Sequence, residues 1–469
     1  MWRQAAGAPS FPWLWKGGSP LRTHSNSGAI IFLAATAVGA FLLLTGLADT
    51  APERTGVRMP QRNTAAFAYR APLCCARTVP EQGGLGTEAE IETLSERIQG
   101  FLAAADATAN SALDQDHLFI QLYGGVQALS DRTVIEDVDP RYSVVKLADG
   151  TLTFVNSQPQ DVTGHGRAVA RLSLALEERD IPLLYVQAPQ KLQPQDSRLP
   201  AGVNDYGDHY ADQVLSVLKE QGVATLDLRE AFIATGREWS SFFFRTDHHW
   251  TPEAAFFANQ VLSARLEEKY GWDFPHQNTD PDSFQRVTLS DWFLGSQGKR
   301  VGSLYGGVDD IEIWIPQFET DFTYSVPIYD MERTGPFEES LLFPERVEEL
   351  DWFGGNPYTL YSGGDYPMGR IYNHTNEQGP RILLLRDSYA CVLTPFLALN
   401  CSELITIDLR YFGDDLLAYV DWLEPDLVLV MYTAGSTAIE ELFSFFSDTP
   451  QVFYEASPPM VEKPPLGGE

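Results

Sequence analysis

Arg381-Ile382-Leu383-Leu384-Leu385-Arg386-Asp387-Ser388-Tyr389-Ala390 places four consecutive apolar residues before a turn at Asp387-Ser388, and Tyr389 to Leu399 can run on as a helix. A short unbroken apolar run that ends in turn residues predicts a buried strand. A strand feeding straight into a helix is the building unit of an α/β layered domain. A serine at such a turn has its hydroxyl at the carboxyl end of the sheet, near backbone N–H groups of the helix start that can stabilise an oxyanion. Ser388 is thus the candidate nucleophile, against the alternative of a serine that only caps the helix.

The same unit recurs on both sides. Downstream, one strand runs from Glu403 to Leu409 into Arg410-Tyr411, and another from Pro425 to Met431 into Tyr432-Thr433-Ala434-Gly435. Both turns are expected on the sheet edge that carries Ser388. Upstream, helices near 162–179 and 206–221 alternate with strands at 182–186 and 223–228, and Val144 to Phe154 forms two alternating runs around Asp149-Gly150, a hairpin signal. Glu88 to Ala105 has helical periodicity, and His117 to Tyr123 reads as a short apolar strand followed by Gly124-Gly125. Residues 273–375 are rich in Gly, Asp and aromatics and lack a clear period, as expected of an insertion, part strand and part loop, that walls a cleft. The fold class is therefore α/β, a parallel sheet flanked by helices.

A second constellation lies at Thr246-Asp247-His248-His249-Trp250-Thr251-Pro252-Glu253. Thr251 reads as an N-cap, Pro252 as the first helical residue and Glu253 as a favourable first-turn acid, with Gly271 as the stop after Tyr270. On an extended loop, Asp247 and His249 point one way and His248 the other. A carboxylate can then orient the His249 imidazole and leave its other nitrogen free to act as a base. Local capping is the competing use of such a pair.

A chain of 469 residues with 44% hydrophobic content and 12% aromatics has enough apolar mass for a full core. Its formal net charge of -31 argues against nucleic acid as a partner, because phosphate backbones demand clustered Lys and Arg. Gly28 to Ala48 is 21 residues without a charge, long enough to span a bilayer, and Arg3, Lys16 and Arg22 precede it with no acid. This predicts a signal anchor with residues 1–27 cytoplasmic and the bulk of the chain extracytoplasmic. A cleaved signal peptide is the alternative, for which Ala48-Asp49-Thr50-Ala51 is a poor site. Residues 49–85, with recurrent prolines, read as a linker to a domain at 86–455, and 456–469 as a disordered tail. The four cysteines are too few for a disulfide scaffold and have no zinc-site spacing. Cys391 and Cys401 are either a pair or two buried small apolar residues.

The TDHHWT segment, the strand running into Asp-Ser, the IDLRYF turn and the PDLVLVMY strand together resemble the bacterial DHHW family. That family is similar to the SGNH-hydrolase-like domains of the alginate O-acetylation proteins of the AlgX and AlgJ type, in which an Asp-x-His pair lies upstream of the catalytic serine. The resemblance covers roughly Glu88 to Ser447. It implies an SGNH-hydrolase-like fold, a catalytic set of Asp247, His249 and Ser388, and acyl transfer to a carbohydrate without a cofactor or metal. Two positions depart from the usual SGNH pattern. Arg386 stands where a glycine precedes the Asp-Ser pair, and Tyr432-Thr433 replace the oxyanion asparagine, so Arg386, Arg410, Tyr432 and Thr433 become the candidate oxyanion and substrate-binding groups.

The expected chemistry is an O-acetyltransferase or esterase for a cell-surface or exported polysaccharide, anchored as a single-pass protein of the cell membrane. A multi-spanning membrane acyltransferase is the expected partner, as in the systems it resembles. Trp250, Trp292, Trp314 and Trp352 are candidates for stacking on sugar rings, against the commoner fate of such residues in the core. The alternative from another class is a noncatalytic carbohydrate-binding or assembly protein of the envelope, in which saccharide binding is indifferent to Ser388. A metal phosphoesterase built on Asp-His-His lacks companion Asp blocks, and a thiol enzyme using Cys391 lacks an activating histidine.

Overall fold

Both faces of the central sheet are covered, which is why its inner strands read as unbroken apolar runs. The computed structural model describes residues 117–446. Its strands are β1 (Val134–Ile135), β2 (Val144–Lys146), β3 (Leu152–Thr153), β4 (Leu183–Ala188), β5 (Ala224–Asp227), β6 (Phe284–Phe293), β7 (Asp309–Pro316), β8 (Phe322–Val326), β9 (Met331–Gly335), β10 (Met368–Asn373), β11 (Arg381–Arg386), β12 (Glu403–Ile407) and β13 (Leu427–Thr433). Eight of them form one sheet in the order β5-β4-β13-β11-β12-β10-β8-β9. The first five are parallel, and the last three continue the sheet antiparallel. Ser388 follows β11, an inner strand of the parallel half that lies between β13 and β12.

Alternation along these strands divides the core in two. Ile382 and Leu384 pack with Leu184, Val186, Leu404 and Leu429 on one face. Leu383 and Leu385 pack with Tyr185, Ile405, Val428 and Val430 on the other. Helices α1 (Leu118–Leu129), α2 (Thr163–Glu177), α3 (Gly207–Glu220), α4 (Leu228–Ala234), α5 (Pro252–Tyr270), α6 (Ser296–Val301), α7 (Ala390–Ala398) and α8 (Leu416–Leu423) surround it. The second face is covered by α2, α3 and α8, and the first by α5 and α7. The start of α5 is as its caps predict: the Thr251 hydroxyl accepts from the Ala254 N–H, and Gly271 closes the helix with φ 71°.

Three expectations change. Residues 273–375 do not merely wall a cleft, since β8, β9 and β10 come from this stretch and extend the main sheet, while β6 and β7 pair separately. His117 to Tyr123 is not a strand but the start of α1. Gly124 lies within this helix; a Cβ there would lie 1.7 Å from the Val301 carbonyl oxygen, so the glycine lets α1 press against α6. Cys391 and Cys401 are both free and buried, the apolar alternative rather than the pair. Among the described residues no helix is long and apolar enough to cross a membrane. The segments assigned as cytoplasmic tail (1–27), anchor (28–48), linker (49–85), helix 88–105 and C-terminal tail (456–469) lie outside the described residues.

Candidate active site

The Asp-His-His loop is a tight hairpin, closed by the Phe243–Trp250 bridge and by the Phe244 N–H donating to the His249 carbonyl at 3.1 Å. Within it, the Asp247 carboxylate accepts from the His249 backbone N–H at 3.1 Å and faces His249 Nδ1 at 2.5 Å. The other ring nitrogen, Nε2, lies 2.8 Å from Ser388 Oγ. The structure thus brings Asp247, His249 and Ser388 into one hydrogen-bonded chain, with the acid buried and Ser388 half-buried at the sheet edge. Because the loop turns back on itself, His248 does not point away: its ring lies 3.8 Å from that of His249, centroid to centroid, and its Nδ1 is 2.9 Å from Ser296 Oγ.

Burial opposes ionisation of Asp247, but the imidazoles of His248 and His249 and the N–H groups of His249 and Ser296 hold its carboxyl well below the usual carboxylate range. It stays a carboxylate and can stabilise an imidazolium. The Ser296 N–H reaches its second oxygen at 2.6 Å from the start of α6. Gly295 makes that approach possible, since a Cβ on it would sit 2.2 Å from the Asp247 Cβ. Thus Gly295-Ser296, visible in the sequence only as part of the insertion, complete the acid's surroundings.

Other supports were not legible. Tyr358 stacks on the His249 ring at 3.8 Å and 16°, and its hydroxyl donates to the Ser388 and Tyr389 carbonyls at 3.1 and 3.0 Å. Trp250, fully buried, donates its indole N–H to the same Tyr389 carbonyl at 2.9 Å, and Tyr389 in turn donates its hydroxyl to the His248 carbonyl. The histidine loop and the serine turn are therefore bolted together from both sides. Lys191, 3% exposed, donates from Nζ to the carbonyls of Leu152 (2.6 Å), Arg245 (3.5 Å) and Asp247. Burial pulls this ammonium down to about 8. Its only signal in the sequence is a lone lysine just past an apolar strand.

Asp387 is fixed rather than reactive, accepting from the N–H groups of Tyr389 (3.0 Å) and Thr433 (2.9 Å) and so tying the serine turn to the end of β13. The candidate oxyanion groups fare unevenly. Arg386, 1% exposed, donates from its terminal nitrogens to Asp365 (2.5 Å), the Gly364 carbonyl (2.7 Å) and Cys391 Sγ (3.0 Å), and its Nε is buried without a partner, so it acts as a buried strut beneath the serine turn. Tyr432 is a core residue whose hydroxyl donates to the Leu442 carbonyl at 2.7 Å. Thr433 is 5% exposed with its N–H held by Asp387. Arg410 pairs through Nε and Nη2 with Asp408 and Asp365, leaving Nη1 without a protein partner among the described residues. Burial works against Asp365, yet Arg386 and Arg410 hold its carboxyl below the usual range. The Ser388 N–H also has no protein acceptor among the described residues, leaving it and Arg410 Nη1 as available donors.

Asp247, His248 and His249 offer ligand atoms within 4.8 Å of one another. Both Asp247 oxygens and both His249 ring nitrogens already have protein partners, so an ion there would have to break the Asp–His–Ser chain. Burial pushes the Cys391 thiol up, away from thiolate chemistry. Of the tryptophans proposed for stacking, Trp250 and Trp314 are in the core, and Trp352 donates its N–H to the Asp291 carbonyl at 3.0 Å.

A mainly parallel sheet flanked by helices, with Asp, His and Ser meeting at its carboxyl edge, defines an SGNH-hydrolase-like domain. Residues 151–286 match the family model described as the SGNH hydrolase-like domain of acetyltransferase AlgX, so the chain contains a domain similar to it. Asp247 and His249 lie inside the matched stretch and Ser388 beyond it. Bacillus cereus PatB1 with a sulfonyl adduct aligns at a TM-score of 0.54 and 19% identity, over 67% of this chain and 100% of that one. A DHHW family protein from Eubacterium siraeum DSM 15702 aligns at 0.50 and 18% identity, over 66% of this chain and 97% of that one. These likenesses establish the fold. No curated protein matches the sequence.

Proposed function

We propose that this protein is a serine-dependent carbohydrate O-acetyltransferase or esterase. The observation that carries the reading is the chain from Asp247 through His249 to Ser388 Oγ, with contacts of 2.5 and 2.8 Å. Asp247 orients the imidazole with Nε2 toward the hydroxyl, and His249 takes the Ser388 proton as Oγ attacks an acetyl carbonyl. The tetrahedral oxyanion is met by the Ser388 N–H and Arg410 Nη1. His249 then gives the proton to the leaving alcohol, and Ser388 holds the acetyl group. A sugar hydroxyl or water, deprotonated by His249, removes it. The similarity of residues 151–286 to an acetyltransferase domain favours the sugar as acceptor.

We further propose that the acceptor is a cell-surface or exported polysaccharide, that residues 28–48 anchor the domain outside the cytoplasm, and that a multi-spanning membrane acyltransferase supplies the acetyl group. Protease protection in spheroplasts tests the topology, and co-purification from membranes tests the partner. The activity is tested with the full-length protein, a chromogenic acetyl ester and oligosaccharide acceptors. Turnover that Ser388→Ala abolishes supports it. Wild-type protein that binds saccharide yet never cleaves an acetyl ester would replace it with the noncatalytic binding reading.

A further inference from the structure

We propose that Tyr142 and Phe154, with Arg300 across them, form an acceptor subsite for a neutral saccharide chain beside Ser388, a role that rests on the acyl-transfer reading of that serine. Phe154 directly follows β3, Tyr142 ends the turn Pro140–Tyr142, and Arg300 lies on α6. The rings of Tyr142 and Phe154 meet edge to face at 5.9 Å, and the Arg300 guanidinium lies 4.4 Å from the first and 5.8 Å from the second. The ledge is continuous with the catalytic groups: Phe154 is 6.2 Å from the His248 ring, which is 3.8 Å from that of His249. His248 and Arg300 side chains are 40% and 36% exposed and Tyr142 is 42% exposed, so this wall stays open where Trp250 and Trp314 are buried.

The chemistry of the ledge selects its ligand class. The guanidinium groups of Arg300 and Arg141 lie over part of the rings, and the aromatic surface they leave exposed suits the apolar C–H face of a pyranose ring, while the Arg300–Asp137 pair offers donors and acceptors side by side for its hydroxyls. Its charges are balanced, Arg300 by Asp137 and Arg141 by Asp139. With a chain of formal net charge -31 around it, the ledge gives a polyanion no attraction. A neutral saccharide fits both facts. Its path also explains why His248 turns toward His249 rather than away: the outer imidazole becomes the floor between the ledge and the serine.

The test uses full-length protein with a chromogenic acetyl ester and two acceptor sets, neutral oligosaccharides (cello- and chito-oligosaccharides) and oligouronates. Tyr142→Ala and Phe154→Leu, the latter keeping apolar bulk under the ring, are expected to raise the KM for neutral acceptor about tenfold. Ester hydrolysis without acceptor stays at the wild-type rate. Titration of Ser388→Ala with the neutral set reads the same ledge without catalysis, with binding lost when Tyr142→Ala is added. Unchanged acceptor KM in both variants, preference for oligouronates, or no neutral acceptor bound or acetylated overturns the subsite. Absent ester turnover in wild type with neutral binding retained through Tyr142 sinks the acyl-transfer reading alone and leaves the ledge standing.

Discussion

The two flanks of Ser388 are built to opposite plans. On one, His249 is held by Asp247, Tyr358 and the Trp250-Tyr389 tie, yet its Nε2 is left free of everything but the serine hydroxyl. On the other, Arg386, Asp365, Arg410 and Asp408 hydrogen-bond mainly to one another. The proton-transfer side is preorganised toward a reacting atom, whereas the cationic side is largely self-satisfied and holds up the sheet edge. Resemblance to a nucleophile block does not by itself make a flanking arginine catalytic. What decides is whether a donor is both left over and exposed to the site, which the buried Nε of Arg386 is not.

Four outcomes test this contrast. On the proton-transfer flank, Ser388→Ala, with melting temperature unchanged, and His249→Ala, which also strips a partner from the buried Asp247, each lower kcat/KM about 10,000-fold or more, measured with a chromogenic acetyl ester. Gly295→Ala pushes the Asp247 loop and costs about 100-fold in kcat, read beside the circular dichroism melt. On the opposite flank the effects move from rate to stability. Arg386→Met leaves Asp365 with Arg410 alone and costs about 3 kcal/mol in urea unfolding, while Arg410→Met, which also strands the buried Asp408 and so lowers stability, costs about 100-fold in kcat through one lost oxyanion contact.

A subtler test uses pH. Lys191 holds the Asp247 loop only with its full set of protons, and burial places it at about 8, below the ordinary lysine value of 10.5. Between those values the unfolded chain binds the proton and the folded one does not, so this group makes stability rise with pH. Activity should move the other way, falling above pH 8 as the third hydrogen bond is lost. Lys191→Arg shifts that limb upward in the kcat/KM profile, since a guanidinium stays charged. A limb that stays in place in Lys191→Arg removes the lysine from the account.

The parallel half of the sheet was legible because its inner strands are buried on both faces and end in turns: 381–386, 403–407 and 427–433 are apolar runs followed by polar residues. The antiparallel half was not. Strand β8 does alternate, with Phe322, Tyr324 and Val326 buried between Thr323 and Ser325. It is five residues long in a stretch crowded with Gly and Asp, and β9 and β10 carry Arg333 and Arg370 among their apolar residues, so this short signal was overlooked. The contact chain from Asp247 through His249 to Ser388 was legible because its carboxylate and imidazole are two residues apart and its serine sits on a strand-to-helix turn. The supports were hidden by distance in sequence: Tyr358 and Ser296 reach the site only through the fold. His248 was misplaced because a two-residue alternation assumes an extended loop, and a hairpin this tight breaks it. Arg386 was misassigned because sequence shows a charge at the nucleophile block but not Asp365, the partner that neutralises it.

The central claim is that Ser388 becomes acylated. Full-length protein is incubated with an acetyl ester, quenched in acid during turnover, digested and read by peptide mass spectrometry. The account predicts one acetyl group on the peptide that contains Ser388, gone in Ser388→Ala and greatly slowed in His249→Ala. Acetate released at the wild-type rate with no acetyl on Ser388 at any time, and undiminished in Ser388→Ala, would contradict it.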